Sequence, residues 1–163
     1  MTYLRGLFLF LFIGWAAVAS AQGTSLSFGS LGQDTAAPIE IEADELAISQ
    51  ADSSATFKGN VTISQGNMTL SAGQVIVVYN EETSEIDKLL ASKNVTLVSG
   101  NEAAEAETAE YFVTEGIIIM RGNVLLAQGL SSLTAGEMTV NLNDGTALLT
   151  GRVRTVLRPL GSS

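Results

Sequence analysis

Apolar and polar residues alternate with a period of two along most of the chain. Ile39, Ile41 and Ala43 alternate with Glu40, Glu42 and Asp44, and Val61 and Ile63 alternate with Thr62 and Ser64. Short runs of this kind predict half-buried antiparallel strands, because successive side chains of a strand point to opposite faces. The parity then slips by one at a recurring place. Ile39, Ile41 and Ala43 are followed by Leu46 and Ile48, Leu70 and Ala72 by Val75 and Val77, and Leu133 and Ala135 by Met138 and Val140. A slip after a small residue predicts a bulge or corner at which the strand bends while its apolar side stays inward. Turn signals follow at Ala51-Asp52-Ser53-Ser54, Asn80-Glu81-Glu82-Thr83, Glu115-Gly116 and Asn143-Asp144-Gly145; Asp-Gly in particular suits a tight hairpin.

The pattern is also a repeat. Residues 58–77 (KGNVTISQGNMTLSAGQVIV) and 121–140 (RGNVLLAQGLSSLTAGEMTV) are offset by 63 and coincide without a gap at nine of 20 positions. A weaker copy begins at Lys93-Asn94-Val95, and a fourth opens at Gly151-Arg152-Val153. The corner element recurs as Ala43-Asp44-Glu45-Leu46, Ala72-Gly73-Gln74-Val75, Ala109-Glu110-Tyr111-Phe112 and Ala135-Gly136-Glu137-Met138. Units of roughly 30 residues, each unable to cover its own apolar face, predict stacked elements around one continuous core. The expected fold class is all-β: an open β-jellyroll or flattened β-solenoid of repeated short antiparallel strands. Parity assigns its interior to Ile41, Leu46 and Ile48 in the first unit and to Phe57, Val61, Ile63, Leu70, Val75 and Val77 in the second. Val95, Leu97 and Phe112 belong to the third, and Met120, Val124, Leu126, Leu133, Met138 and Leu149 to the last. Such aliphatic side chains suit flexible acyl chains better than a flat cofactor.

The N-terminus reads as an address. Arg5 precedes an apolar run at residues 6–18, which ends in Ala19-Ser20-Ala21, a small-x-small cleavage pattern. The run is shorter than the roughly 20 residues that span a bilayer. The expected organisation is a signal peptide at 1–21, a flexible Gly/Ser/Thr-rich leader at 22–37, the β-domain at 38–159 and a tail at 160–163. Cleavage after Ala21 leaves a soluble, exported chain that starts at Gln22.

Composition removes whole classes of chemistry. The chain has no cysteine and no histidine, so no disulfide, Cys-His dyad, Ser-His-Asp triad or His zinc site can form. It carries 8 Lys and Arg against 17 Asp and Glu, a formal charge of −9, which disfavours nucleic acid as a partner. Gly59-Asn60-Val61 leads into a strand rather than a helix, so no phosphate loop is present. No catalytic residue, metal site or cofactor is expected. The acids Glu40, Glu42 and Asp44 alternate along one face and read as a solvated surface. Asn60-Val61-Thr62, Asn67-Met68-Thr69 and Asn94-Val95-Thr96 match the glycosylation acceptor, but the repeat itself places Asn before a β-branched strand. Arg152, Arg154 and Arg158 form a small basic cluster near the other end. Glu40 and Glu42 on the first strand and Arg152 and Arg154 on the last are the candidate assembly edges, matched in charge for head-to-tail contact.

The unit Ala43-Asp44-Glu45-Leu46, then Ala55-Thr56-Phe57-Lys58-Gly59-Asn60-Val61, then Gln65-Gly66, Leu70 and Ala72 resembles the OstA-like domain family of lipopolysaccharide-transport proteins. The resemblance runs from about Pro38 to Pro159. The cleavable leader and the lack of a following barrel resemble the periplasmic LptA type more than the anchored LptC or the outer-membrane LptD type. The short tail after the last repeat departs from the pattern. The resemblance implies an open-ended jellyroll that holds lipid A acyl chains. It further implies a bridge across the periplasm of Gram-negative cells, self-associated head to tail, with LptC-like partners at the inner membrane and LptD-like partners at the outer. A scaffold that binds no lipid and an LptC-like relative are the alternatives.

Overall fold

The computed structural model describes residues 24–27, 32 and 34–156. The expected signal peptide, Arg158 and the tail lie outside the described residues. Every element among the described residues is a strand: β1 (Thr24–Ser27), β2 (Glu40–Glu42), β3 (Glu45–Ser49), β4 (Ser54–Gln65), β5 (Met68–Tyr79), β6 (Ile86–Ser99), β7 (Glu102–Phe112), β8 (Ile117–Gln128), β9 (Ser131–Asn141), β10 (Thr146–Thr150) and β11 (Arg154–Val156). They form one antiparallel sheet in the order β1-β10-β9-β8-β7-β6-β5-β4-β2, with β3 also on β4 and β11 also on β9.

Each long strand from β4 to β9 bends near its middle, and the bends align into a spine that divides the sheet into two facing walls. In β4, β6 and β8 the ladder skips the pairs 59–60, 93–94 and 122–123, each facing a single skipped residue, Gly73, Glu107 and Gly136. Two residues opposing one is a β-bulge. Both residues of each pair are left-handed, with φ of 78° and 46° at Gly59 and Asn60, 68° and 56° at Lys93 and Asn94, and 84° and 46° at Gly122 and Asn123. The terminal strands are broken at the same level. β2 and β3 pair with the two halves of β4, β10 and β11 with the two halves of β9, and Gly151 and Arg152 repeat the left-handed pair at 79° and 54°. Two inserted residues preserve parity and one inserted residue shifts it, so the same side of every strand faces inward on both walls. The expected coil of repeats is thus realised as a meander of bent strands.

The third corner differs from the sequence expectation. The bend of β7 lies at Ala106-Glu107 rather than at Ala109, because residues 103–110 repeat Ala and Glu so closely that parity alone admits either register. The shift carries a correction with it: Tyr111 is buried, and Phe112 lies on the outer face, half-buried. A second difference concerns the leader, which is not structureless: Thr24–Ser27 form β1 on the edge of β10. The turn signals hold. Asn80 Oδ1 accepts from the amides of Glu82 and Thr83, and Asp144 Oδ1 accepts from the amide of Thr146.

The spine explains the acid and the Gly-Asn of the repeat. Asn60 Nδ2 donates to Asp44 Oδ2 at 2.9 Å, and Asn123 Nδ2 donates likewise to Glu107 Oε1. At Gly122 an added β-carbon would lie 2.6 Å from Glu107 Oε2 and 2.9 Å from its Cβ. Gly129 has a similar positive φ of 56° but open space around it. Gly129→Ala is therefore expected to cost only the left-handed backbone term of about 1 kcal/mol, whereas Gly122→Ala adds a collision and costs at least about 2 kcal/mol. Urea unfolding of the two variants checks this; equal losses would mean that the spine tolerates a side chain there.

Candidate functional site

The inward faces of both walls build one aliphatic interior. Val61, Ile63, Leu70, Val75, Val77, Val95, Leu97, Met120, Val124, Leu126, Leu133, Met138 and Leu149 are buried there, while Ile41 and Phe57 are partly buried and pack against them. Met120, Leu126 and Met138 are 0% exposed. A side chain with no accessible surface has no water-sized gap beside it, so in this state the walls are closed on each other.

Leu46 and Ile48 are a correction. Their cross-strand neighbours Phe57 and Ala55 face inward, so parity assigned the correct side, yet they are 54% and 74% exposed. They lie on the first strand of one wall, and among the described residues the facing wall supplies only the three residues of β2 at that end. The core is therefore uncovered there. Beside it, Ile48 and Tyr79 line a cleft of about 300 Å³.

The sequence expectations missed the polar groups inside. Gln65 and Gln128, the repeated Gln of the Gln-Gly element, follow Val61 and Ile63, and Val124 and Leu126, at the inward parity. A polar residue in an inward slot was the available signal, because a buried amide must find partners. The Tyr111 hydroxyl donates to Gln65 Oε1 at 2.6 Å and ties one wall to the other. Gln65 Nε2 donates to the carbonyls of Thr35 and Ala37 at 3.1 and 2.9 Å. Residues 35–39 thus run across the mouth between the walls, over a cleft of about 580 Å³ that Gln65, Ile86 and Val113 also line. Gln128 Nε2 donates to Glu102 Oε1 at 2.8 Å, and among the described residues the buried Glu102 Oε2 has no hydrogen-bond partner.

The candidate edge residues lie on the outside. Glu40 and Glu42 are exposed on β2 and Arg154 on β11, the first and last strands of the same wall. Arg152 is exposed in the last bend. Among the described residues no group of His, Cys, Asp and Glu is arranged to hold a metal ion.

Burial pushes the Tyr111 phenol above its usual 10.0, and the bond to Gln65 offsets part of that rise. A raised folded pKa means that the stability held by the neutral phenol is complete below pH 10 and lost as pH climbs through the folded value. Tyr111→Phe should cost about 1–3 kcal/mol at neutral pH, since it strands the Gln65 carbonyl, and should flatten the loss of stability above pH 10. Chemical denaturation of both forms across that range checks the pair of effects.

Residues 40–146 match the family described as LptA/(LptD N-terminal domain) LPS transport protein. An uncharacterised protein of Rhizobium meliloti (strain 1021) is 34% identical over 155 residues, covering 88% of this chain and 83% of its own length. The LPS-assembly protein LptD of Actinobacillus pleuropneumoniae serotype 5b is 36% identical over 117 residues, which are 68% of this chain but only 14% of that protein. In fold, the chain resembles the crystal structure of LptH, the LptA homologous periplasmic component of the lipopolysaccharide transport device from Pseudomonas aeruginosa. The TM-score is 0.69 at 15% identity, over 78% of this chain and 99% of that one. With the bent-strand sheet, its aliphatic interior and the Ala-acid and Gly-Asn spine on one side, and these matches on the other, the chain belongs to the LptA/LptD N-terminal-domain family of lipopolysaccharide transport proteins.

Proposed function

We propose that this chain is a periplasmic carrier that holds lipopolysaccharide by its acyl chains between the two walls and hands it from the inner toward the outer membrane. It acts as a binding bridge and not as an enzyme. The observation that carries the reading is the aliphatic interior, continuous along the stack and uncovered at Leu46 and Ile48. Burying an acyl chain of about a dozen methylenes, at roughly 0.8 kcal/mol each, is worth on the order of 10 kcal/mol before ordering costs. That gain has to exceed the cost of parting the closed walls. It also has to exceed the repulsion between an anionic headgroup and an acidic protein, whose formal charge is −9 with the leader included. One observation favours the alternative of a scaffold that binds no lipid: around Met120, Leu126 and Met138 the interior in this state leaves no gap.

A photo-crosslinking residue at Leu70 or Val124, in protein exported from its own leader and found in the periplasm with Gln22 at its N-terminus, is expected to capture lipopolysaccharide. The outward Thr62 is the control. Capture from Thr62 alone, or none at all, would reject the interior as the lipid site.

On the same reading, copies join head to tail with each other and with homologous LptC-like and LptD-like jellyrolls. The acidic β2 edge meets the basic β11 edge of the next copy. Arg152→Glu with Arg154→Glu should weaken self-association in sedimentation, and a second chain carrying Glu40→Lys with Glu42→Lys should restore it. Failure of the reversed pair to rescue would rule out the charge-matched joint.

A further inference from the structure

The two ends of the stack are not equally free. At the first end, among the described residues, β2 and β3 each pair on one side only, with β4. At the last end, among the described residues, β11 has no neighbour on its outer side, but β10 does: β1 lies on it in antiparallel register, with Thr24 opposite Leu149, Ser25 opposite Leu148, Leu26 opposite Ala147 and Ser27 opposite Thr146. The strand that closes the last edge of the sheet thus comes from the N-terminus of the chain.

The covered edge has the dimensions of a joint. β3 and β10 are five residues each, and β2 and β11 three each. The eight bent strands alternate in direction. The first bent strand of a following copy, laid beyond the last of this one, would therefore run antiparallel to it, with β3 against β10 on one wall and β2 against β11 on the other. β1 has that same direction on β10, and one strand edge accepts one neighbour at a time.

The residues that follow hold β1 in place. A β-carbon on Gly32 would lie 3.6 Å from Gly145 Cα, beside the turn that leads into β10. The Thr35 hydroxyl reaches Asn143 Oδ1 of the same turn at 3.4 Å, and Gln65 anchors the carbonyls of Thr35 and Ala37.

We propose that β1 is a built-in stand-in for the incoming strand: it occupies the β10 edge of the free protein, and a second copy of this chain joins there by displacing β1 with its own β3. This rests on the head-to-tail reading above and adds that the joint is made by strand exchange. Tethering a competitor at an effective concentration near millimolar raises the concentration at which copies join. The exposed β11 edge stays available for first contact, with Arg154 toward the acidic β2 of the arriving copy.

The test uses the lipid-free mature chain. Ser25→Pro with Leu26→Pro removes a ladder donor from β1, whichever of the two amides points at β10. Sedimentation velocity should then show self-association at a concentration at least tenfold lower than for the unaltered chain. Amide exchange at Thr146–Thr150 should be faster in dilute monomer. In a second variant, Ser25→Cys with Leu148→Cys in a chain that has no other cysteine, oxidation should hold the protein monomeric where its reduced form assembles. Unchanged exchange at β10 would show that β1 does not cover it, and faster exchange without stronger association would show that the cover does not restrain joining; either result overturns the proposal. Adding Arg152→Glu and Arg154→Glu to the proline variant separates the two ideas. If the gained association survives that reversal, the charge-matched joint is wrong and the stand-in strand remains.

Discussion

The long strands β4 to β9 have to bend at the same level without turning their apolar side outward. A strand has a side-chain period of two, so a bend that inserts one residue flips the pattern and a bend that inserts two does not. The chain uses both. Left-handed pairs at 59–60, 93–94 and 122–123 each oppose one skipped residue on the neighbouring strand. The two-against-one bulge turns the sheet through its corner, and the mixed parity keeps one face inward from Ala55 to Leu149. Two walls, a shared interior and two open ends all depend on that counting. The side-chain pairs across the spine, Asp44 with Asn60 and Glu107 with Asn123, hold the corner where the ladder itself is interrupted.

The interior that results is aliphatic but not wholly apolar. Tyr111 and Gln65 link the walls near the mouth, and Gln128 satisfies one oxygen of the buried Glu102. Buried polar contacts of this kind favour one arrangement of the walls over many, since separating them leaves donors and acceptors without partners. A cargo that enters between the walls has to replace close-packed side-chain contacts with its own and has to break or bypass the tie at Tyr111. On the proposed carrier role, acyl chains would supply the first through their burial, and the second is a local cost at one place on the mouth.

The ends of the stack carry the opposite constraint. A meander of bent strands leaves its first and last edges unsatisfied, and long flat edges invite uncontrolled pairing. At one end the exposed strands are short and carry Glu40, Glu42 and Glu45. At the other, β11 carries Arg154, while β10 is covered by the chain's own N-terminal strand. The same segment then crosses the mouth on its way to β2, so residues 34–39 link the last edge, the cross-wall tie and the first strand.

Alternation, repeat and turn chemistry determined a good deal by themselves. They specified the all-β class, the inward identity of residues such as Val61, Leu97 and Leu126, and the corners at Ala43, Ala72 and Ala135, because period and parity are local properties of a pleated chain. They failed at Ala109, where a run of Ala and Glu fits two registers and only pairing with the neighbouring strands β6 and β8 selects Ala106, which moves Tyr111 inside and Phe112 out. They could not decide enclosure: Leu46 and Ile48 face the correct side, but whether an inward side chain is covered depends on how many strands oppose it. Nor could they place Thr24–Ser27 on β10 or bring Gln65 to Tyr111, since those contacts join residues more than 40 positions apart and follow from the folding of one wall onto the other.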